Sequence, residues 1–156
     1  AYVLKEGETH LPESIQKAFD NGRKVRDILK ANIKAGRTAG DTFELLNDRI
    51  NAAGFKVMET FNEPTDDPEN IDVIIGCHSV GNLGHGIGPS IAWFNPERMK
   101  YTIQPTNLFS IELFAYTAIP EWGGKKLRVP LEDNAIVTER GVEWLYPVNN
   151  KVLLIR

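Results

Sequence analysis

The chain has 156 residues, 42% of them hydrophobic and 25% charged, the proportions of an ordinary globular protein. Eighteen Lys and Arg stand against twenty-one Asp and Glu, a formal charge of −3, which excludes the basic face of a nucleic-acid binder. No apolar run approaches the ~18 residues of a membrane span, and the one cysteine, Cys77, excludes an intrachain disulfide and a cysteine-rich zinc site. The length suits one domain, residues 1–156, around a single core. The opening at Ala1, without methionine or an apolar signal segment, reads as a trimmed piece of a longer protein, and the cysteine count suits the cytoplasm.

From Pro12, apolar residues recur at Ile15, Ala18, Phe19, Val25, Ile28, Leu29 and Ile33, the steps of three and four that line one face of a helix. Pro12 and Glu13 suit its first turn. Gly22 weakens its middle by roughly 1 kcal/mol relative to alanine, and Gly36 is expected to end it. A second helix is predicted from Asp41, as cap, with Phe43, Leu46, Ile50 and Ala53 on one side and Gly54 just past its end. Phe55 to Met58 reads as a short strand, and Asn62 to Asn70, rich in Pro and Asp, as a loop.

After Ile71 the period becomes two. Ile71, Val73 and Ile75 alternate, as do Phe109, Ile111 and Leu113; further strands are predicted at 127–129, 135–138, 142–145 and 152–155. Two helices followed by strands, with few βαβ signals, predict an α+β fold: two N-terminal helices packed on a curved, mainly antiparallel sheet. Pro105, Pro120, Gly123, Gly124 and Pro130 punctuate the strands and predict bends and bulges.

The segment from Cys77 to Pro89 holds two of the three histidines, His78 and His85, and four of the thirteen glycines. Glycine at that density lets backbone approach a ligand without Cβ interference; a plain glycine-rich turn would look the same. Glu112 lies within an apolar strand on the face opposite Ile111 and Leu113, so it faces either water or a cation. His85, Glu112 and Glu132 together would offer one imidazole and two carboxylates, a donor set suited to zinc, manganese, cobalt or iron(II). Cys77 and His78 are neighbours whose side chains point apart, a poor nucleophile–base pair, and Cys77 reads as a small buried hydrophobe. Trp93, Phe94, Tyr116 and Trp122 are candidates for pocket walls or for core.

Gly84-His85-Gly86-Ile87-Gly88, then Phe109-Ser110-Ile111-Glu112, then the stretch from Glu132 to Gly141 resemble, in that order, three motifs of the creatinase/methionine aminopeptidase superfamily. These are the pita-bread M24 metallopeptidases, among them Xaa-Pro aminopeptidases and prolidases. The resemblance implies a partial pita-bread fold, the C-terminal portion of an M24-type catalytic domain. It also implies hydrolysis of the N-terminal peptide bond of a peptide substrate by a water activated on divalent ions (Mn, Co or Zn). By position, His85 would be the imidazole ligand, Glu112 the next ligand and the acid/base, and Glu132 the carboxylate bridging two ions.

The chain also departs from that pattern. Members supply two aspartates upstream of the first helix, whereas Asp20, Asp27 and Asp41 follow that point. The family's histidine seven residues after the ligand histidine is here Ala92, and its histidine four residues before is Gly81, with His78 the candidate for that catalytic place. Three of five ligands are present, so weak or no metal binding is expected of this stretch alone. Two other readings fit the residues: a pita-bread module that binds peptides or partner proteins without chemistry, and an unrelated α+β domain whose glycine loop mimics the motif. An incomplete sheet also makes a second copy of the chain a candidate partner.

Overall fold

The computed structural model describes residues 1–81 and 84–156; Asn82 and Leu83, inside the glycine-rich motif, lie outside the described residues. Helix α1 (Glu13–Asn32) starts directly after Pro12, with Glu13 in its first turn. Ile15, Ala18, Phe19, Val25 and Leu29 are buried along it, and Ile33 just beyond its end, as their spacing predicts. Gly22 has a packing reason: a Cβ there would lie 3.2 Å from Val129 Cγ1 and 3.3 Å from Leu131 Cδ1, so the weak helix position is where α1 meets the sheet. The helix ends at Asn32 rather than at Gly36, which takes φ +90° in the following turn.

Helix α2 (Ala39–Ala52) is capped by Thr38, not by Asp41. Thr38 Oγ1 accepts the Asp41 N–H at 3.0 Å and donates to the Asp41 carboxylate at 2.7 Å, so Asp41 closes a reciprocal cap from the third helical position. Phe43, Leu46 and Ile50 are buried, and Gly54 takes φ +87° after the helix. A single turn, α3 (Pro96–Met99), follows later.

The strands are β1 (Tyr2–Val3), β2 (Lys56–Val57), β3 (Asp72–Ile75), β4 (Cys77–Ser79), β5 (Ser90–Ile91), β6 (Leu108–Ala118), β7 (Lys126–Thr138), β8 (Gly141–Trp144) and β9 (Leu154–Ile155). β1 and β9 pair in parallel as a separate two-stranded sheet; only 154–155 of the predicted 152–155 strand is extended. The other seven form a mixed sheet in which only β2 and β3 run parallel. β6 organises it. Along one edge it pairs with β3 and β4, and along the other with β7 in unbroken register from Leu108↔Ile136 to Ala118↔Lys126.

The predicted break at Pro130 is absent: 126–138 is one strand, with no bulge against β6. The reason is geometric. Glu112 turns its carbonyl to the Gly76 N–H on the other edge, so Phe114, two residues on, faces that edge too. Its partner Pro130 therefore presents its missing donor away from β6, where no ladder bond is lost.

One face of the sheet carries the core. Phe109, Ile111, Leu113, Ala115, Ala135 and Val137 pack there with Val25, Leu29, Phe43, Leu46 and Ile50 of the two helices. Arg26, only 2% exposed, crosses this layer to Asp133 at 3.0 Å and also donates to Asn149 O and Asn150 Oδ1. A second buried pair, Lys126–Asp72, joined by Thr65, ties the 62–70 loop to the sheet. Strand alternation sends His78, Ser110, Glu112 and Glu132 to the opposite face.

Candidate metal centre

Two glutamates stand directly across from one another: Glu112 on β6 and Glu132 on β7. The Glu112 carbonyl is spent on Gly76, so this is a non-hydrogen-bonded pair, the closer of the two antiparallel spacings. Like charges so placed repel unless a cation lies between them. β4 brings His78 to the same face by pairing it with Ser110. His78 Nε2 lies 3.4 Å from Glu112 Oε2. One ligand atom each from His78, Glu112 and Glu132 all fall within 4.8 Å of one another.

Neighbouring residues fix these groups. Ser110 Oγ donates to Glu132 Oε1 at 2.8 Å. Gly76 lets the Glu112 carboxylate lie close to the backbone, since a Cβ there would be 3.3 Å from Oε2. The His78 Nδ1 is 3.1 Å from the Ser79 carbonyl, which can only accept, so this nitrogen carries the hydrogen and Nε2 faces the carboxylates. Hydrogen bonding to Glu112 raises the His78 pKa above its ordinary value, against burial, which lowers it. Cys77 points into the core instead, where burial pushes its thiol up to about 12.

His85 is placed differently. It is exposed, in the loop beyond β4, and its ring stacks on His78 with centroids 4.4 Å apart. The imidazole that meets the two glutamates is thus that of His78, and His85 covers it from outside. Ala92 is wholly buried and offers no proton-carrying group. Among the described residues no aspartate joins the group, and Asp20, Asp27 and Asp41 sit on the helices of the other layer. The four aromatics do not all meet: Trp93 and Phe94 pack on each other and on Phe61, Tyr116 stands in β6 opposite Asp72, and Trp122 lies in the turn beyond the far end of β6. The sequence reading passed over Ser110 and Gly76. Ser110 could have been found from its place two residues before Glu112 on the same strand face; Gly76 carries no such signal.

Residues 5–139 match the sequence pattern of metallopeptidase family M24. The chain belongs to that family. No curated protein matches it closely. Among solved structures it is similar to the X-Pro aminopeptidase of Thermotoga maritima (TM-score 0.63, 16% identity, 94% of this chain and 35% of that one). It is also similar to the Xaa-Pro dipeptidase of Bacillus anthracis (TM-score 0.58, 21% identity, 94% and 34%). A methionine aminopeptidase of Thermotoga maritima aligns with TM-score 0.54 at 18% identity, over 87% of this chain and 53% of that one. These likenesses show the fold, a partial M24 domain of the pita-bread type. The chain spans about a third of the length of the X-Pro and Xaa-Pro enzymes.

The donor set fits a divalent ion. It combines one oriented imidazole with two carboxylates whose mutual repulsion a cation relieves, and three protein ligands suffice for one catalytic ion. No helix among the described residues is long and apolar enough to cross a membrane.

Proposed function

We propose that this chain carries the metal-holding sheet of an aminopeptidase or dipeptidase of the Xaa-Pro type, acting on the N-terminal peptide bond of a peptide. The observation that carries the reading is the opposed pair Glu112 and Glu132 with the His78 imidazole beside it. Those three side chains would hold a divalent ion, zinc, manganese or cobalt. Bound there, the ion supplies Lewis acidity and makes a bound water acidic near neutral pH.

The chain's own groups do the rest. Glu112, whose Oε2 lies 3.4 Å from His78 Nε2, is placed to take up a proton from water at the site, while His78, its Nδ1 engaged by the Ser79 carbonyl, is left with Nε2 for the ion. Ser110 keeps one oxygen of Glu132 occupied and so orients that carboxylate. Two carboxylates and one imidazole supply charge for one divalent ion, and a second would need further carboxylates.

The rival reading, a module that binds peptides without chemistry, is favoured by Ala92, which puts a buried methyl where a proton carrier is expected. A peptidase assay on the whole protein with Mn²⁺ or Co²⁺, on an Xaa-Pro dipeptide and a longer Xaa-Pro peptide, separates the two. Turnover lost in Glu112→Gln supports the enzyme. Turnover untouched by that change refutes the assignment of Glu112, and metal binding with no turnover supports the module.

A further inference from the structure

The orientation of His78 depends on one backbone group, the Ser79 carbonyl. That oxygen faces His78 Nδ1 at 3.1 Å and also accepts the Gly86 N–H at 2.6 Å. Ser79 is gripped twice more by the same loop: its N–H and its Oγ both donate to Pro89 O, at 3.0 Å and 2.8 Å. The loop closes on Ser79 backbone to backbone. A Cβ at Gly86 would stand 2.9 Å from Val80 O, and one at Gly88 would stand 2.6 Å from Ser79 Oγ. Loop residues 86–89 therefore have no side chains of their own with which to hold this position, apart from Pro89 and the 95% exposed Ile87.

An outside clamp is supplied by α3. Arg98 Nε donates to Gly88 O at 2.8 Å, and among the described residues no other side chain from beyond β5 hydrogen-bonds the loop. The turn that carries Arg98 is tied back at its start, where Asn95 Nδ2 donates to Ser90 Oγ at 3.1 Å. Ser90 is the residue directly opposite His78 in the β4–β5 pair. Residues 95–98 thus brace the hairpin at two points, one beside the imidazole and one on the loop that holds its carbonyl partner.

We propose that Arg98 is a positioning residue for His78, setting through Gly88 and Ser79 the direction in which the imidazole presents Nε2 to the two glutamates. The proposal rests on the metal-site reading for its consequence but not for its geometry. Outer partners of a ligand histidine commonly change metal affinity 10–100-fold, so about a tenfold loss is expected from removing this remote one.

The test is Arg98→Met, which keeps an apolar stem and removes the donor, beside Arg98→Lys, which restores one. Two readouts are taken on the purified chain: zinc affinity by calorimetry, and protection of the His78 Nδ1–H proton in the metal-free protein by nitrogen-edited NMR. Arg98→Met is expected to bind zinc about tenfold more weakly and to lose the protected Nδ1–H, with Arg98→Lys recovering both. A folded Arg98→Met with affinity within twofold of wild type and the Nδ1–H still protected overturns the proposal. If Arg98→Met does not fold, Arg98→Gln takes its place with the same readouts: loss of the Nδ1–H supports the brace, retention refutes it. A wild-type chain that takes up no zinc would refute the metal reading, while the NMR arm would still judge the brace.

Discussion

Asp133→Ala should destabilise this fold far more than an ordinary surface change. Asp133 is the carboxylate that neutralises Arg26, and the two side chains are 12% and 2% exposed with N and O 3.0 Å apart. Removing the aspartate leaves a buried guanidinium with, among the described residues, Asn149 O and Asn150 Oδ1 as its remaining hydrogen-bond partners. Breaking one side of such a pair costs about 3–5 kcal/mol. With an unfolding entropy of about 2.1 cal/mol/K per residue over 156 residues, each kcal/mol lowers Tm by about 3 °C, so the drop is about 9–15 °C. Thermal unfolding followed by circular dichroism reads it directly. The double change Arg26→Met with Asp133→Leu should recover most of the loss, because no charge is then left buried. A fall under about 3 °C for Asp133→Ala alone would refute the reasoning and mean that water reaches the guanidinium.

Ser110→Ala should weaken zinc binding by about tenfold while leaving the melting temperature nearly unchanged, since it frees one oxygen of Glu132 without opening the core; equal affinity would remove Ser110 from the site. Zinc and a proton compete for His78 Nε2, and Glu112 makes the imidazole hold its proton above the ordinary value of 6.5. Zinc affinity should therefore start to fall at a pH above 6.5 as pH is lowered, and in the metal-free chain Glu112→Gln should move the His78 titration, followed by NMR, to lower pH. Affinity that stays flat down to pH 6.5 would contradict the contact. Cys77, wholly buried with its thiol pushed up to about 12, should resist a thiol reagent at pH 8 until the chain unfolds; fast labelling of the native protein would show that the core opens there.

The helices were legible because their apolar residues recur at helical spacing and the sheet accepts that stripe. Arg26 was not, although it interrupts the same stripe between Val25 and Leu29; its partner lies 107 residues away. Pro130 misled because whether proline breaks a strand depends on which edge its missing N–H faces, and that follows from the register with β6, not from the local sequence. The two-residue strand β1 carries no periodicity to detect, and its partner β9 lies nearly the whole chain away. At the site, both glutamates could be placed from alternation and motif. The histidine could not be chosen that way. Cys77 fills the core, which turns its strand neighbour His78 onto the glutamate face, whereas His85 lies past the end of β4 in a loop whose path depends on backbone contacts between glycines.

Calorimetric titration of the chain with Zn²⁺, run in parallel on wild type, His78→Ala and His85→Ala, addresses the trio most directly. Wild type should take up one ion, weakly beside a closed four-ligand site; His78→Ala should abolish the heat, and His85→Ala should reduce it only modestly. Uptake that survives His78→Ala but vanishes in His85→Ala would contradict the assignment, and so would a wild-type chain that binds no zinc at all.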